Sequence, residues 1–208
     1  HQFTMFDLPG HGESVKGDFR GAFHDVRTTV AASFLDQKMD LIGHSFGASV
    51  AFRLALEHPD LVRSLILIEP VIFSLGFAFE PASKQAFLHD HSEFDRAIAR
   101  EEFVGAARAF HQLWGSGQSW DRLPDKVQRG MVDKIHLIPA AASHVVEDAY
   151  GFCTAGLLEK IEVPVLLLQG SASSAPMPAV ISSLQARLLR SLVKRLEGAG
   201  QMATITHA

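Results

Sequence analysis

One serine in the chain has the surroundings of a catalytic nucleophile. The stretch LIGHSFGASV, residues 41–50, places Ser45 between Gly43 and Gly47, after an apolar run and before a helical pattern. A sharp strand-to-helix turn makes a serine Oγ stand clear of the sheet, and it brings neighbouring backbone too close for Cβ atoms, which accounts for both glycines. The next backbone N–H, that of Phe46, would face an oxyanion at the helix N-terminus. We therefore predict Ser45 as a nucleophile and Phe46 as an oxyanion donor.

Two other interpretations of this stretch are weaker. An incidental serine in a glycine-rich turn would not need the strand before it and the helix after it. A phosphate-binding loop would carry the pattern GxxxxGK[ST], which this stretch lacks.

The elements around Ser45 are predicted to alternate between strand and helix. The strands are residues 3–6, 39–43, 61–69, 163–170 and 191–198, and the helices between them are residues 18–37, 46–58 and 177–189. This order implies right-handed crossovers and a parallel sheet. Residues 81–151 carry only helical patterns, and the longest predicted helix covers residues 92–114 with Ser92 as its N-cap.

The chain resembles the α/β-hydrolase superfamily in the order and spacing of its motifs, which are DLPGHGES, LIGHSFGASVAF, LILIEP, AARAFHQLWGSGQSWDRLP and GAGQMATITHA. The resemblance implies an α/β-hydrolase fold, with a mostly parallel sheet flanked by helices and an inserted helical cap. We expect residues 1–72 and 161–208 to form a partial core and residues 73–160 to form the cap. The first strands and one oxyanion loop of the family are expected to be missing, and the C-terminus to be clipped.

The acid of a catalytic triad is predicted at Glu69. The family commonly has an aspartate after the strand that follows the cap, but LLLQGSASSAPMP contains no carboxylate there. The superfamily also uses the end of the strand before the cap, where this chain reads LILIEP. A carboxylate at that place is costly unless it has a partner such as an imidazole N–H. We expect the Glu69 carboxylate to point into the same cleft as Ser45. The alternative is a surface glutamate that caps a strand end.

The base of the triad is replaced by an amide in this chain. The tail GAGQMATITHA resembles the family ending GAGHMxPxTH, so Gln201 stands where the resemblance places the catalytic histidine. An amide has no basic nitrogen and cannot take the serine proton. We expect the Gln201 amide to donate to Glu69 and to accept from the Ser45 hydroxyl, so that the site is preformed but inert. His207, six residues later, matches the family's second, non-catalytic histidine and would reach the site only if the loop rearranged.

Aromatic residues of the predicted cap are candidates for a substrate pocket. They are Phe87, Phe94, Phe103, Phe110 and Trp114. We predict Phe110 and Trp114 as substrate contacts, although packing within the cap would explain the same residues. The segment HDHSEFD, residues 89–95, contains metal donors, but its spacing matches no established ligand motif, so we predict no metal site.

Charge and composition exclude several classes of partner. The chain has 208 residues, a formal net charge of −4 and a single cysteine, Cys153. A negative net charge does not favour binding to nucleic acid or to an anionic membrane, and no apolar run is long enough to span a bilayer. A lone cysteine suits a reducing compartment. We expect a cytoplasmic protein with a small-molecule substrate and no cofactor, and the oligomeric state stays open.

These features together predict a serine-nucleophile hydrolase of a small apolar ester, lactone or amide, impaired because Gln201 replaces the histidine. The alternative is a non-catalytic ligand-binding protein on the same fold. The missing base, the missing acid after Gly170 and the missing oxyanion loop favour that alternative.

Overall fold

The structure is a computed structural model that describes residues 3–15 and 23–207. Its strands and helices alternate at both ends of the chain, and only helices lie in the middle. The elements are α1 (Phe23–Ala32), β1 (Met39–His44), α2 (Phe46–Glu57), β2 (Val62–Ile68), α3 (Phe73–Phe79), α4 (Pro81–Ala99), α5 (Phe103–Trp114), α6 (Asp125–Lys134), α7 (Leu137–Val145), β3 (Val165–Gly170), α8 (Pro176–Arg187), β4 (Ser191–Leu196) and α9 (Ala203–Thr206), with 3-10 turns at Pro59–Leu61, Trp120–Arg122 and Leu158–Lys160.

The four strands form one parallel sheet in the order β1-β2-β3-β4. Apolar side chains of β2 and β3, among them Leu65, Leu67 and Leu167, are almost wholly buried in the main core. Burial of such side chains stabilises the fold by about 1.5–3 kcal/mol each. The parallel sheet predicted from the sequence is confirmed, and it brings the carboxyl ends of all four strands to one edge.

The helices between β2 and β3 are divided differently from the prediction. The expected helix over residues 92–114 is wrong, because α4 ends at Ala99 and α5 begins at Phe103. Between them Glu101 has a φ of 58°, which a continuous helix does not permit. Ser92 lies inside α4, which instead begins at Pro81, a residue whose fixed φ suits the first helical position.

The boundaries of the core and the cap stay a prediction. In the structure, α3 packs against α8, next to the sheet, although the predicted boundary places α3 within the cap. Helices α4 and α5 pack against each other and have a second apolar cluster of their own around Phe94 and Trp120.

The start of the chain also differs from the prediction. Residues 3–6 form no strand, and Phe3 and Met5 are 76% and 92% exposed. A strand needs a neighbour for its backbone hydrogen bonds, and β1, the nearest strand, pairs only with β2 among the described residues. The predicted helix over residues 18–37 is shorter and ends at Ala32, and its residues 18–22 lie outside the described ranges.

The turn from β1 to α2 is sharp and strained. Ser45 has φ 53° and ψ −122°, a conformation that non-glycine residues rarely adopt, and its N–H donates to the carbonyl of Ile68 at 2.9 Å. A Cβ on Gly43 would lie 2.5 Å from both the Ala48 Cα and the Gly47 carbonyl oxygen. The close approach predicted for Gly43 is therefore present. The same prediction is wrong for Gly47, where an added Cβ would meet nothing within 4 Å.

The two glycines should therefore respond in opposite ways to alanine. Gly43→Ala should destabilise the protein by about 2–4 kcal/mol, because backbone atoms would have to move. Gly47→Ala should be neutral or stabilise it by about 0.5–1 kcal/mol, because alanine is the better helix former. Urea unfolding of both variants measures the difference, and equal free energies of unfolding would contradict this account of the turn.

Candidate active site

Ser45 is partly exposed and lies in the wall of a cavity of about 440 Å³ between the sheet edge and the inserted helices. Phe46 and Gln201 line the same cavity. Because Phe46 is the first residue of α2, its N–H has no acceptor within the helix and is available for an oxyanion. The structure therefore brings three of the predicted site residues together in one wall.

The opposite wall is apolar and comes mainly from α4, α5 and α7. Phe110 and Trp114 both line it, as predicted, whereas Phe103 is 41% exposed and lies outside it. The residues contributed by the inserted helices are Phe73, Phe87, Leu88, His91, Phe94, Asp95, Ile98, Ala99, Phe110, Trp114, Ile138, Pro139, Ala141, Ala142 and Val145. Such a wall suits an apolar ligand.

Glu69 lies at the tip of β2 and is fully buried, with a φ of 49°. Its Oε1 accepts two hydrogen bonds, from the Gly170 N–H at 2.6 Å and from the Ser173 hydroxyl at 2.8 Å. Its Oε2 is buried and has no hydrogen-bond partner in the described part of the chain. Burial raises the pKa of this carboxyl, although the two donors act in the opposite direction.

The orientation of Glu69 differs in one respect from the prediction. The carboxylate was expected to point into the cleft, but Glu69 is not among the residues that line the cavity. It is turned towards the loop after β3, because Gly170 and Ser173 provide the donors there. The alternative of an exposed glutamate at a strand end is wrong, since the side chain has no solvent exposure.

Gln201 connects the last loop to the strand that carries Glu69. Its Nε2 donates to the main-chain carbonyl of Glu69 at 3.1 Å, and its Oε1 is buried without a partner among the described residues. The amide cannot be turned over, since that would place two carbonyl oxygens against each other. The prediction that this amide bridges the Glu69 carboxylate and the Ser45 hydroxyl is wrong, because neither hydrogen bond is present among the described residues.

Two contacts hold the loop that carries Gln201 against the sheet edge. His44 Nε2 lies 2.6 Å from the Gln201 carbonyl oxygen, which requires Nε2 to carry the proton. The Ala172 N–H donates to the Ala199 carbonyl at 2.8 Å. His207, by contrast, is exposed and absent from the cavity wall, so the structure gives it no access to Ser45.

Sequence reasoning missed the roles of Ser173 and His44. Ser173 lies in the segment that was searched for an acid, and it binds the acid instead. His44 directly precedes Ser45 in the sequence, and it contacts a residue 157 positions away. Position next to the nucleophile was the only available signal for His44, and no local pattern marks Ser173.

Other kinds of site find no support in the described ranges. No group of three or more His, Cys, Asp or Glu side chains within residues 3–15 and 23–207 is arranged to hold a metal ion. None of the helices in these ranges is both long and apolar enough to cross a bilayer.

Comparison with known proteins decides the family. A family model described as the alpha/beta hydrolase fold matches residues 1–208. The chain belongs to the α/β-hydrolase family. The predicted membership and fold are thereby confirmed.

Two relatives are pimeloyl-[acyl-carrier protein] methyl ester esterases of Neisseria meningitidis, from serogroups A and C. Each is 30% identical to this α/β hydrolase over 220 residues, which include 99% of the chain. The chain spans 64% of the length of the serogroup A protein and 78% of that of the serogroup C protein.

Solved structures give the same fold. The 2-hydroxy-6-oxo-6-phenylhexa-2,4-dienoate hydrolase of Rhodococcus sp. strain RHA1 matches with a TM-score of 0.69 and 14% identity, covering 96% of this chain and 73% of that one. MenH from S. aureus matches with a TM-score of 0.62 and 20% identity, covering 96% and 76%. At these identities the likeness concerns the fold alone.

The raised pKa of Glu69 predicts a pH dependence of stability. A carboxyl whose native pKa is raised binds its proton more tightly when folded, so its contribution is full below about pH 4 and is lost as the pH rises through the native pKa. Glu69→Gln keeps an acceptor for Gly170 and Ser173 but carries no charge. Relative to the wild type, the free energy of unfolding of this variant should increase between pH 4 and pH 8. The increase should be about 1.4 kcal/mol for each unit by which folding raises the pKa of Glu69.

The matched control for this prediction is Glu93→Gln, which changes an exposed glutamate on α4. Urea unfolding at several pH values should show a constant difference between this variant and the wild type. If the free energies of unfolding of Glu69→Gln and of the wild type also differ by a constant amount at every pH, then burial does not raise the pKa of the Glu69 carboxyl.

Proposed function

We propose that this α/β hydrolase is a serine-dependent hydrolase of small apolar esters, lactones or amides whose turnover is impaired by Gln201. Ser45 would be the nucleophile, the Phe46 N–H an oxyanion donor and Glu69 the acid that orients the base. Gln201 occupies the position of that base. The small-molecule substrate, the absence of nucleic-acid and membrane partners, and the cytoplasmic location stay predictions.

One observation carries this proposal: the Glu69 carboxylate is buried with one oxygen bound and the other free. Gly170 and Ser173 fix the first oxygen, while Oε2 has no donor within the described residues. A buried acceptor without a donor costs about 1–3 kcal/mol, so it calls for an explanation. An imidazole N–H at residue 201 would supply that donor, as in a triad.

Gln201 explains why the network is incomplete. Its single donor contact goes to the Glu69 main chain, and its Oε1 is itself an unused acceptor. Glu69 Oε2 and Gln201 Oε1 are therefore both buried acceptors without a donor among the described residues. An imidazole in this place could donate to Glu69 and accept the Ser45 proton, whereas a glutamine amide can donate a hydrogen bond but has no basic nitrogen to accept that proton.

The chemistry that remains is attack by a weakly activated hydroxyl. Ser45 would form a bond to the carbonyl carbon of the ligand, and the oxygen of that carbonyl would take up the negative charge beside the Phe46 N–H. The proton of Ser45 would have to leave to water. Without a base at residue 201, turnover should be close to background.

The apolar cavity supports the substrate class. Most of the side chains that the inserted helices contribute to its wall are aromatic or aliphatic. The two Neisseria relatives are named as methyl ester esterases, which is consistent with an ester as the ligand of this chain.

A ligand-binding protein without catalysis is the second candidate. Gln201 favours it, because a fold that binds ligands beside an inert serine needs no basic nitrogen there. The cavity of about 440 Å³ is large enough for a small ligand in either case.

Gln201→His tests the proposal. If residue 201 is the position of the base, the variant should hydrolyse p-nitrophenyl butyrate about 10²-fold to 10⁴-fold faster than the wild type, the range that a general base contributes. Labelling of Ser45 by a fluorophosphonate, followed by mass spectrometry, should accelerate in parallel.

Two controls separate the candidates. Ser45→Ala in the same background should abolish both gains, and His207→Gln should leave them intact. If Gln201→His folds with a normal circular dichroism spectrum but neither hydrolyses the ester nor labels faster than the wild type, residue 201 is not the base position and the ligand-binding candidate is the better account.

A further inference from the structure

Among the described residues that line the cavity, one side chain is an ionisable acid or a lysine or arginine: Asp95 on α4. Asp95 is exposed and forms no ion pair with any described residue. A ligand in this cavity therefore meets a carboxylate that no described cation pairs with.

His91 does not offset this charge, although it lies one helical turn before Asp95. Trp114 Nε1 donates to His91 Nε2 at 3.0 Å, and His91 Nδ1 donates to the Phe87 carbonyl at 2.9 Å. Both ring nitrogens are thus used by the neutral imidazole, and a proton on Nε2 would oppose the Trp114 N–H. Burial also lowers the pKa of His91, against the opposing effects of the Phe87 carbonyl, Asp95 and Asp90, and this favours the uncharged ring.

Asp95 lies where the cavity meets solvent. The cavity-lining face of α4 runs through Leu88, His91, Asp95 and Ile98, which follow helical spacing. His91 is buried, whereas Leu88 is 45% exposed and Asp95 is exposed as well. A ligand that extends from Ser45 to this exposed stretch of α4 would bring its outer end to Asp95.

We propose that Asp95 is a specificity-determining residue that makes the cavity reject ligands with a carboxylate at the outer end and accept those with a neutral or an amine-bearing outer end. This inference rests on the proposed function only for the position of the ligand's carbonyl at Ser45. Two like charges a few ångströms apart repel each other even in a hydrated mouth, and an apolar wall cannot solvate a displaced carboxylate.

Binding by the unmodified chain tests this without requiring turnover. Trp114 lines the cavity and Trp120 does not, so Trp120→Phe leaves Trp114 as the one fluorescent tryptophan. Three ligands of equal length serve as probes: nonanamide, 9-aminononanamide and the monoamide of azelaic acid. At low salt the dissociation constant of the azelaic acid monoamide should be at least about fivefold higher than that of nonanamide. Added salt should reduce this ratio.

Asp95→Asn should bring the ratio of the two dissociation constants close to one. The matched control is Asp90→Asn, which removes an exposed carboxylate from the same helix outside the cavity wall and should preserve the ratio. Asp95→Lys should reverse the order of the acid and the amine. Circular dichroism confirms that each variant is folded.

Two results would overturn the inference. One is an equal affinity for all three ligands in the wild type, and the other is an Asp95→Asn variant that discriminates as the wild type does. Binding of none of the ligands would also overturn it. The proposed hydrolase can fail separately, since Ser45 labelling and ester hydrolysis by Gln201→His do not depend on residue 95.

Discussion

The burial of the Glu69 carboxylate is the constraint on which the site depends. A parallel sheet brings the tips of β2 and β3 together, and there the Gly170 N–H and the Ser173 hydroxyl bind one carboxylate oxygen. Taking a carboxylate out of water is costly, and two donors offset only part of that cost. The second oxygen has no donor among the described residues, and in our proposal an imidazole at residue 201 would supply one.

The remainder of the site is arranged around this edge. The strained turn at Ser45 points a hydroxyl out of the sheet, and His44, the residue before it, holds the main chain of Gln201 at 2.6 Å. Helices α4, α5 and α7 then close an apolar cavity over the edge. The fold of a hydrolase is therefore present around Ser45, and we propose that residue 201 is the position of its missing base; fold alone does not establish activity.

The sequence predicted those features that depend on neighbouring residues along the chain. The apolar runs before Ser45 and Glu69 predicted β1 and β2, and β2 has the alternately buried apolar side chains of a strand inside a parallel sheet. The sharp turn at Ser45 was predicted from Gly43 and Ser45. Patterns failed where distant contacts decide: the break at Glu101 has no glycine or proline to mark it, and the hydroxyl of Ser173 finds its partner 104 residues away. The incomplete carboxylate network could not be predicted from sequence either.

The most direct test of this account is a crystal structure of the Gln201→His variant. The account predicts one imidazole nitrogen within about 2.7–3.0 Å of Glu69 Oε2 and the other facing the Ser45 hydroxyl, since a charge-assisted bond would satisfy the buried oxygen. An imidazole turned towards solvent, with Glu69 Oε2 still lacking a donor, would contradict it.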